Sequence, residues 1–343
     1  MAEELYLKHG SFANAFSVAF DPDLERHWWN EQGLISYWRQ PLAKTSVAFF
    51  DPLCADADQP AALDDFLLRT KSKGDRVAWW KASEPIARLL AERGYFVCPY
   101  GIEHTMTLPV ALSGTKRRGL RRQVNAARSA GLVIEAADAA DADDGLWEEL
   151  RGVSRRWLTT RPQPYEARRV TRRTPHRVEP HSTKVLARDR DGQIVGWAAL
   201  DHLQSGNRVL GCGLNAVRCA GSRQAPGAAT LLAIDGSMLV RQRCEMLGST
   251  KPGDAFHLAL GESPLPRRAS LSSFDIAASL RTAQSVEQLF DVIRVHGRWL
   301  YNVQGISDWK SKWRADRQAV TYIAVESATP LREALAVVSS LIL

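Results

Sequence analysis

Short apolar runs alternate with helix-spaced apolar positions through the first hundred residues. The run at 46–50 predicts a strand that stops at the turn dipeptide Asp51-Pro52. Segments 63–71 and 85–94 carry apolar side chains at helical spacing, the second closing on Gly94. Segments 77–80 and 95–99 are dense in β-branched and aromatic residues and predict strands. Strand, helix, strand, helix, strand is the order of an α/β unit. From 112 the pattern changes: Leu120, Val124 and Ala127 share one helical face, and Lys116, Arg117, Arg118, Arg121, Arg122 and Arg128 occupy the remaining positions. Gly131 is a natural stop for that helix. An Ala/Asp stretch at 136–144 then leads, with Asp144 as a cap, into a helix where Leu146, Leu150, Val153 and Trp157 recur.

The second half of the chain opens as a hairpin, with strands at 184–188 and 194–200 around the turn dipeptide Asp191-Gly192. A third strand at 208–214 runs into Asn215 and Arg218, and a Gly/Ala/Pro loop precedes a long helix at 228–244. A strand at 255–260 is followed by a turn, 261–265, that holds Glu262. Segment 298–326 begins with an aromatic pair, turns at Gly305, places Lys310 and Lys312 between Trp309 and Trp313, and ends in a strand at 319–325. Two residues apart, the two lysines cannot share a helical face, so one can enter a pocket while the other meets a phosphate. Between the halves, 161–180 is poor in apolar residues and rich in Pro and Arg, including Arg168, Arg169, Arg172 and Arg173. Such a segment predicts a long loop whose single-sign charge suits phosphates. The expected organisation is a first domain at 1–135, a bridging helix and basic loop at 136–180, and a second domain at 181–343.

Composition narrows the class. The 343 residues are 45% hydrophobic and 24% charged, a soluble globular balance with room for two domains. The formal net charge of +7 favours a polyanionic partner. The five cysteines are scattered without a C-x-x-C pair, so neither a zinc site nor a disulfide framework is expected, and a reducing cytoplasm fits. No metal-ligand cluster and no Ser-His-Asp or Cys-His constellation stands out. The amino terminus does not read as a signal peptide, and no apolar run is long enough to predict a membrane span. Peripheral contact with a membrane stays open.

Two segments carry a resemblance. Leu300, Tyr301, Asn302, Val303, Gln304, Gly305 and Ile306, followed by Trp309-Lys310-Ser311-Lys312-Trp313 and Tyr322, resemble the C-terminal signature of the lysyl-phosphatidylglycerol synthetase catalytic domain. The Pro and Trp that the family carries after its second lysine are missing here. The segment 112–131 is similar to the family's basic helix, and Asn215 and Arg218 fall on its D-x-x-R motif, with Asn in place of Asp. The order of strands and helices at 184–260 also resembles the GNAT acyltransferase core. The resemblance therefore implies an α/β fold of two tandem GNAT-like units with a reaction tunnel between them. No residue-level repeat relates the halves.

The resemblance implies transfer of an aminoacyl group from aminoacyl-tRNA, as co-substrate, to a nucleophile, with no further cofactor and no metal. Asn215, Arg218, Lys310, Lys312 and Glu262 are its candidate catalytic residues. Glu103, Tyr301 and Gln304 are candidates for substrate binding. Lys116, Arg117, Arg121, Arg168, Arg169, Arg172 and Arg173 are candidates for the tRNA backbone. Lipid-modifying members act on phosphatidylglycerol, and soluble relatives act in antibiotic and other natural-product pathways, as in seryl transfer to a hydroxylamine during valanimycin formation. The expectation here is a small-molecule amine, hydroxylamine or hydroxyl acceptor. Phosphatidylglycerol is the alternative. A second alternative rests on Gln224-Ala225-Pro226-Gly227-Ala228-Ala229, which fits the pattern by which GNAT enzymes hold acetyl-CoA at a helix N-terminus.

Overall fold

The computed structural model describes residues 1–137, 144–161, 179–221, 224–266, 271, 280, 282–296, 302–327 and 330–342. Eleven strands form one sheet in the order β1-β2-β3-β4-β11-β5-β10-β9-β8-β7-β6. The first half supplies β1 (Glu25–Trp29), β2 (Gly33–Gln40), β3 (Thr45–Leu53), β4 (Arg76–Ala82) and β5 (Phe96–Leu108). β6 (Val133–Ala136) follows, and then β7 (Ser182–Arg188), β8 (Ile194–Ser205), β9 (Arg208–Cys219), β10 (Phe256–Pro264) and β11 (Arg317–Val325).

The same module occurs twice. β3 and β4 are parallel and joined by helix α3 (Gln59–Ser72), and β9 and β10 are parallel and joined by helix α7 (Ala228–Met246). Parallel neighbours need such a crossover. This is the α/β, tandem GNAT-like arrangement that the resemblance implies. β5 is the seam between the modules. It pairs antiparallel with β11 on one side and with β10 on the other. Two strands cross the division drawn from the sequence: β11 inserts between β4 and β5, and β6 extends the far edge beside β7.

Alternation along the strands builds a core on each face. In the first half, Val47, Phe49, Ala78 and Trp80 pack under α1 (Ala2–His9) and α2 (Ala15–Phe20). Ala48, Val77 and Trp79 face the other way, against Leu63, Phe66 and Leu67 of α3 and Ile86 and Leu90 of α4 (Glu84–Glu92). In the second half, Leu120, Val124 and Ala127 of α5 (Arg118–Ser129) meet Leu231 and Leu232 of α7 on one face. On the other, Trp147, Leu150 and Val153 of α6 (Asp144–Thr159) cover Leu186, Trp197 and Ala199. Among the described residues, the remaining helices are α8 (Gln284–His296), α9 (Val303–Ser311) and α10 (Leu331–Ile342). Among the described residues, no helix is long and apolar enough to cross a membrane.

Several boundaries differ from the periodicity. Asp51-Pro52 lies inside β3, because the strand continues to Leu53. Glu262 lies inside β10 and not in a turn, because that strand leaves β9 after Ala259 but stays paired with β5 to Pro264. Asn215 and Arg218 lie on β9, which stays paired with β8 to Cys219. Gly305 is in the first turn of α9, where its N–H donates to the capping Asn302 Oδ1 at 3.1 Å.

Candidate active site

The site begins where β9 and β10 part. Their parallel pairing runs from Gly211↔His257 to Gly213↔Ala259 and stops. Beyond it β9 stays with β8, and β10 stays with β5 through a register shift between Ala259 and Gly261. Gly261 has φ of +72°, and a Cβ there would sit in ordinary contact with Lys310 Nζ, 3.4 Å away. Glycine is thus favoured by the backbone conformation. The gap holds a cavity of about 380 Å³. Its walls are Leu214, Asn215 and Arg218 from β9, Leu260 and Glu262 from β10, Trp157 and Arg161 from the end of α6, and Ile306, Trp309 and Lys310 from α9.

A charged floor closes the cavity. Lys310 is buried, and its Nζ donates to the main-chain oxygen of Glu262 at 2.6 Å. The Glu262 side chain turns the other way. Its Oε1 accepts from the Thr321 hydroxyl, and its Oε2 lies 3.3 Å from Lys81 Nζ, near enough for an ion pair but not aligned as a hydrogen bond. Gly101 makes room, since a Cβ there would collide with the Glu262 carboxyl. Glu103 sits directly across the β5–β10 ladder from Glu262, and its Oε1 is sealed from solvent without a hydrogen-bond partner. Burial, with the Glu262 charge, pushes the Glu103 carboxyl up to about 7. Burial, with the nearby Lys81 cation, brings the Lys310 ammonium down to about 7 against the pull of Glu262 and Glu103. His104, which meets Ser263 Oγ at 2.9 Å, is held down to about 4 by burial and by Lys310.

The opposite wall is aromatic and cationic. Arg218 is 3% exposed, and its guanidinium stacks 4.0 Å from the Trp157 ring centre. Arg161 stacks on the same ring at 4.3 Å. Arg218 also donates to Val217 O at 3.0 Å. Asn215 Oδ1 is buried in this wall with no hydrogen-bond partner. A buried acceptor left in that state favours a ligand that brings a donor. Trp309 closes the side, edge-on to Trp313 and 3.4 Å from Thr230 Oγ1 at the start of α7.

The structure therefore gathers Asn215, Arg218, Glu262 and Lys310 around one cavity, with Glu103 behind the floor. It does not bring in Lys312, which is exposed past the end of α9, or Gln304, which is exposed on its first turn. Lys116 is exposed before α5. Arg117 instead clamps a turn, donating to Trp313 O and Arg314 O at 3.0 Å each and to Asp316 at 2.7 Å. Arg121 donates to Leu112 O at 2.8 Å and Gly114 O at 2.9 Å. In Arg117 these bonds engage all three guanidinium nitrogens, and in Arg121 they engage Nη1. Tyr301, Arg168, Arg169, Arg172 and Arg173 lie outside the described residues.

The glycine of the loop that fits the acetyl-CoA pattern has a different explanation. Gly227 has φ of +72°, and a Cβ there would collide with Gln123 O of α5. The small residue lets α5 lie against the start of α7. Lys81, the floor residue missed in the sequence, had a local signal: it is the lone cation in the apolar run 77–82 of β4, where a lysine is seldom buried without a partner.

Comparison with known proteins gives the same direction. The family described as phosphatidylglycerol lysyltransferase, C-terminal, matches residues 4–217. No curated protein sequence matches the chain significantly. Among solved structures, the chain is similar to the C-terminal domain of a putative lysylphosphatidylglycerol synthetase from Agrobacterium fabrum, with 21% identity over 98% of this chain and 93% of that one and a TM-score of 0.71. It is also similar to L-PGS from Bacillus licheniformis, with 18% identity over 98% and 94% and a TM-score of 0.73. A conserved protein of unknown function from Bacteroides thetaiotaomicron follows at 12% identity over 93% and 92%, with a TM-score of 0.54. At these identities the solved structures speak for the fold, and the family match covers more than half of the chain. The chain belongs to the phosphatidylglycerol lysyltransferase C-terminal family, and with it to the transferases that use aminoacyl-tRNA.

Proposed function

We propose that the cavity moves an aminoacyl group from the 3′-end of aminoacyl-tRNA to a small-molecule acceptor bearing an amine, hydroxylamine or hydroxyl, within natural-product biosynthesis. The observation that carries this reading is the Lys310 amine, buried at the cavity floor with a pKa brought down to about 7. A proton acceptor is most effective when its pKa lies near the working pH. As the acceptor nitrogen or oxygen bonds to the ester carbonyl carbon, the carbonyl π electrons move to oxygen and the acceptor proton passes to Lys310 Nζ. The oxyanion then re-forms the carbonyl, the bond to the tRNA 3′-oxygen breaks, and that oxygen takes the proton from Lys310. Arg218 supplies positive charge beside the developing oxyanion.

The soluble-acceptor reading is supported by Asn215. A carboxamide offers an acceptor and a donor but no charge, where the family motif carries a carboxylate. An unprotonated amine or hydroxylamine is already nucleophilic and requires less from a base. A second reading, transfer to phosphatidylglycerol, is supported by the family description and by an apolar cavity of about 60 Å³, lined by Tyr100, Leu265 and Phe290, beyond the end of β10. Contacts to the tRNA backbone are assigned to Lys116 and to the Arg168–Arg173 stretch.

The test is transfer from a panel of radiolabelled aminoacyl-tRNAs, with and without vesicles containing phosphatidylglycerol. Product that forms without vesicles and disappears on ribonuclease treatment supports the soluble reading. Product that requires vesicles, and rises strongly in Asn215→Asp, supports the lipid reading and overturns the first. Activity that survives ribonuclease and requires acetyl-CoA overturns both.

A further inference from the structure

We propose that Lys81 is a positioning residue for Lys310: held on the Glu262 carboxylate, it places a second cation beneath the cavity and keeps the Lys310 amine free to accept a proton. The proposal rests on the reading of the cavity as an aminoacyl-transfer site and adds a residue contributed by the other half of the sheet.

The geometry brackets one residue between two lysines. Lys81 faces the side chain of Glu262 at 3.3 Å, and Lys310 faces its main-chain oxygen at 2.6 Å. Lys81 is nearly as buried as its partner, with 10% of its side chain exposed against 3% for Glu262. Its Nζ also lies 5.6 Å from the Phe50 ring centre and 5.8 Å from that of Trp80. Those rings hold a cation without giving it water. Glu262 is the one carboxylate at salt-bridge distance from Lys81 among the described residues. The backbone at Lys81 adds a second sign of constraint. Its φ is +62°, left-handed at a non-glycine residue, immediately after the last parallel pair Phe49↔Trp80. Such a conformation is strained for a residue with a side chain and persists where surrounding contacts enforce it.

The charged groups around Lys310 determine the sign of the effect. Glu262 on β10 and Glu103 on β5 favour its protonated form. Lys81 on β4 disfavours it. Arg218 on β9 and Arg161 after α6 are the other cations on the cavity wall, and His104 on β5 is held low by burial and Lys310. Removing Lys81 deletes one repulsion and frees the Glu262 carboxylate to attract Lys310. Both changes raise the Lys310 pKa, so the reactive amine becomes scarcer at neutral pH.

The experiment reads Lys310 directly. Competitive labelling of lysines with acetic anhydride, quantified by mass spectrometry across pH, gives the titration midpoint of Lys310 without requiring turnover. In Lys81→Met the midpoint is expected to rise by on the order of one pH unit. The ascending limb of the transfer pH profile should move with it, leaving roughly fivefold less transfer at pH 7 and recovery at higher pH. Lys81→Arg keeps the cation and should restore the limb. If Lys81→Met fails to fold, Lys81→Met/Glu262→Gln, which leaves no unpaired carboxylate, is compared with Glu262→Gln alone, and the double variant should still titrate higher. An unmoved midpoint in folded Lys81→Met, or in the double variant relative to Glu262→Gln, overturns the proposal. A shifted midpoint in a protein that shows no aminoacyl transfer upholds the Lys81–Lys310 coupling and removes the transfer reading instead.

Discussion

In the first half, β3 and β4 run parallel from Thr45↔Arg76 to Phe49↔Trp80, and the gap beyond is bridged. Trp79 Nε1 donates to Phe50 O at 2.7 Å, and Asp51 Oδ1 accepts the Ser83 N–H at 2.8 Å, at the start of α4. In the second half, β9 and β10 run parallel only to Gly213↔Ala259, and the gap beyond is the cavity. One strand–helix–strand module therefore yields a closed, structural end in one copy and an open end in the other. The difference lies in a few side chains. A carboxylate and an indole bridge the first gap. A glycine at 261 and an asparagine with an unpaired oxygen leave the second open. The closed copy still contributes to the open one, because Lys81 stands one residue past its last strand pair and reaches Glu262.

The largest expected effect belongs to the open end. Lys310→Met should lower the transfer rate by about a hundredfold or more, the usual scale for a lost acid–base group. Saturating aminoacyl-tRNA should not restore it, since the loss is in chemistry and not in binding. Full rescue by substrate in steady-state kinetics would break the comparison and make Lys310 a binding residue.

The next effect is on stability. Glu103 is raised from 4.5 to about 7, so its contribution to stability is fully present below about pH 4.5 and is lost as pH rises through about 7. Glu103→Gln removes the charge that the folded protein must bury at high pH. The variant should gain on the order of 2 kcal/mol over wild type at pH 8 and little at pH 5. Thermal denaturation at the two pH values checks this, and an equal gain at both would mean that Glu103 titrates normally.

The smallest effect belongs to the closed end. Asp51→Ala removes the acceptor at the start of α4 and should cost about 1 kcal/mol of stability. The transfer rate should change far less than in Lys310→Met. Denaturant melts and transfer assays on the same preparation separate the two. A rate loss comparable to that of Lys310→Met would show that both gaps serve the reaction.

Local patterning carried much of the fold. The helices at 59–72, 84–92, 118–129 and 228–246 follow apolar spacing and glycine stops. Lys310 and Lys312 part as their two-residue spacing predicts: Lys310, in α9, is buried at the floor, and Lys312, just past its end, is exposed. Strand lengths were less legible. β5 was expected at 95–99 and runs from Phe96 to Leu108, because half of its partners belong to β10. β1 and β2 mix charged and aromatic residues at an edge and give no clean alternation.

The sequence by itself determined the two α/β modules and carried the resemblance read around Lys310 and at Asn215 and Arg218. Those features are encoded within single segments, where periodicity and spacing act. Only the tertiary structure decided that β11 would insert between β4 and β5, that Glu103 would face Glu262, and that Lys81 would lie beneath the cavity. Each of these depends on pairing between residues far apart in the chain, and so does the burial that brings Lys310 and Glu103 toward neutrality. Desolvation and charge–charge coupling arise from which surfaces meet, and no single segment of the sequence contains both surfaces.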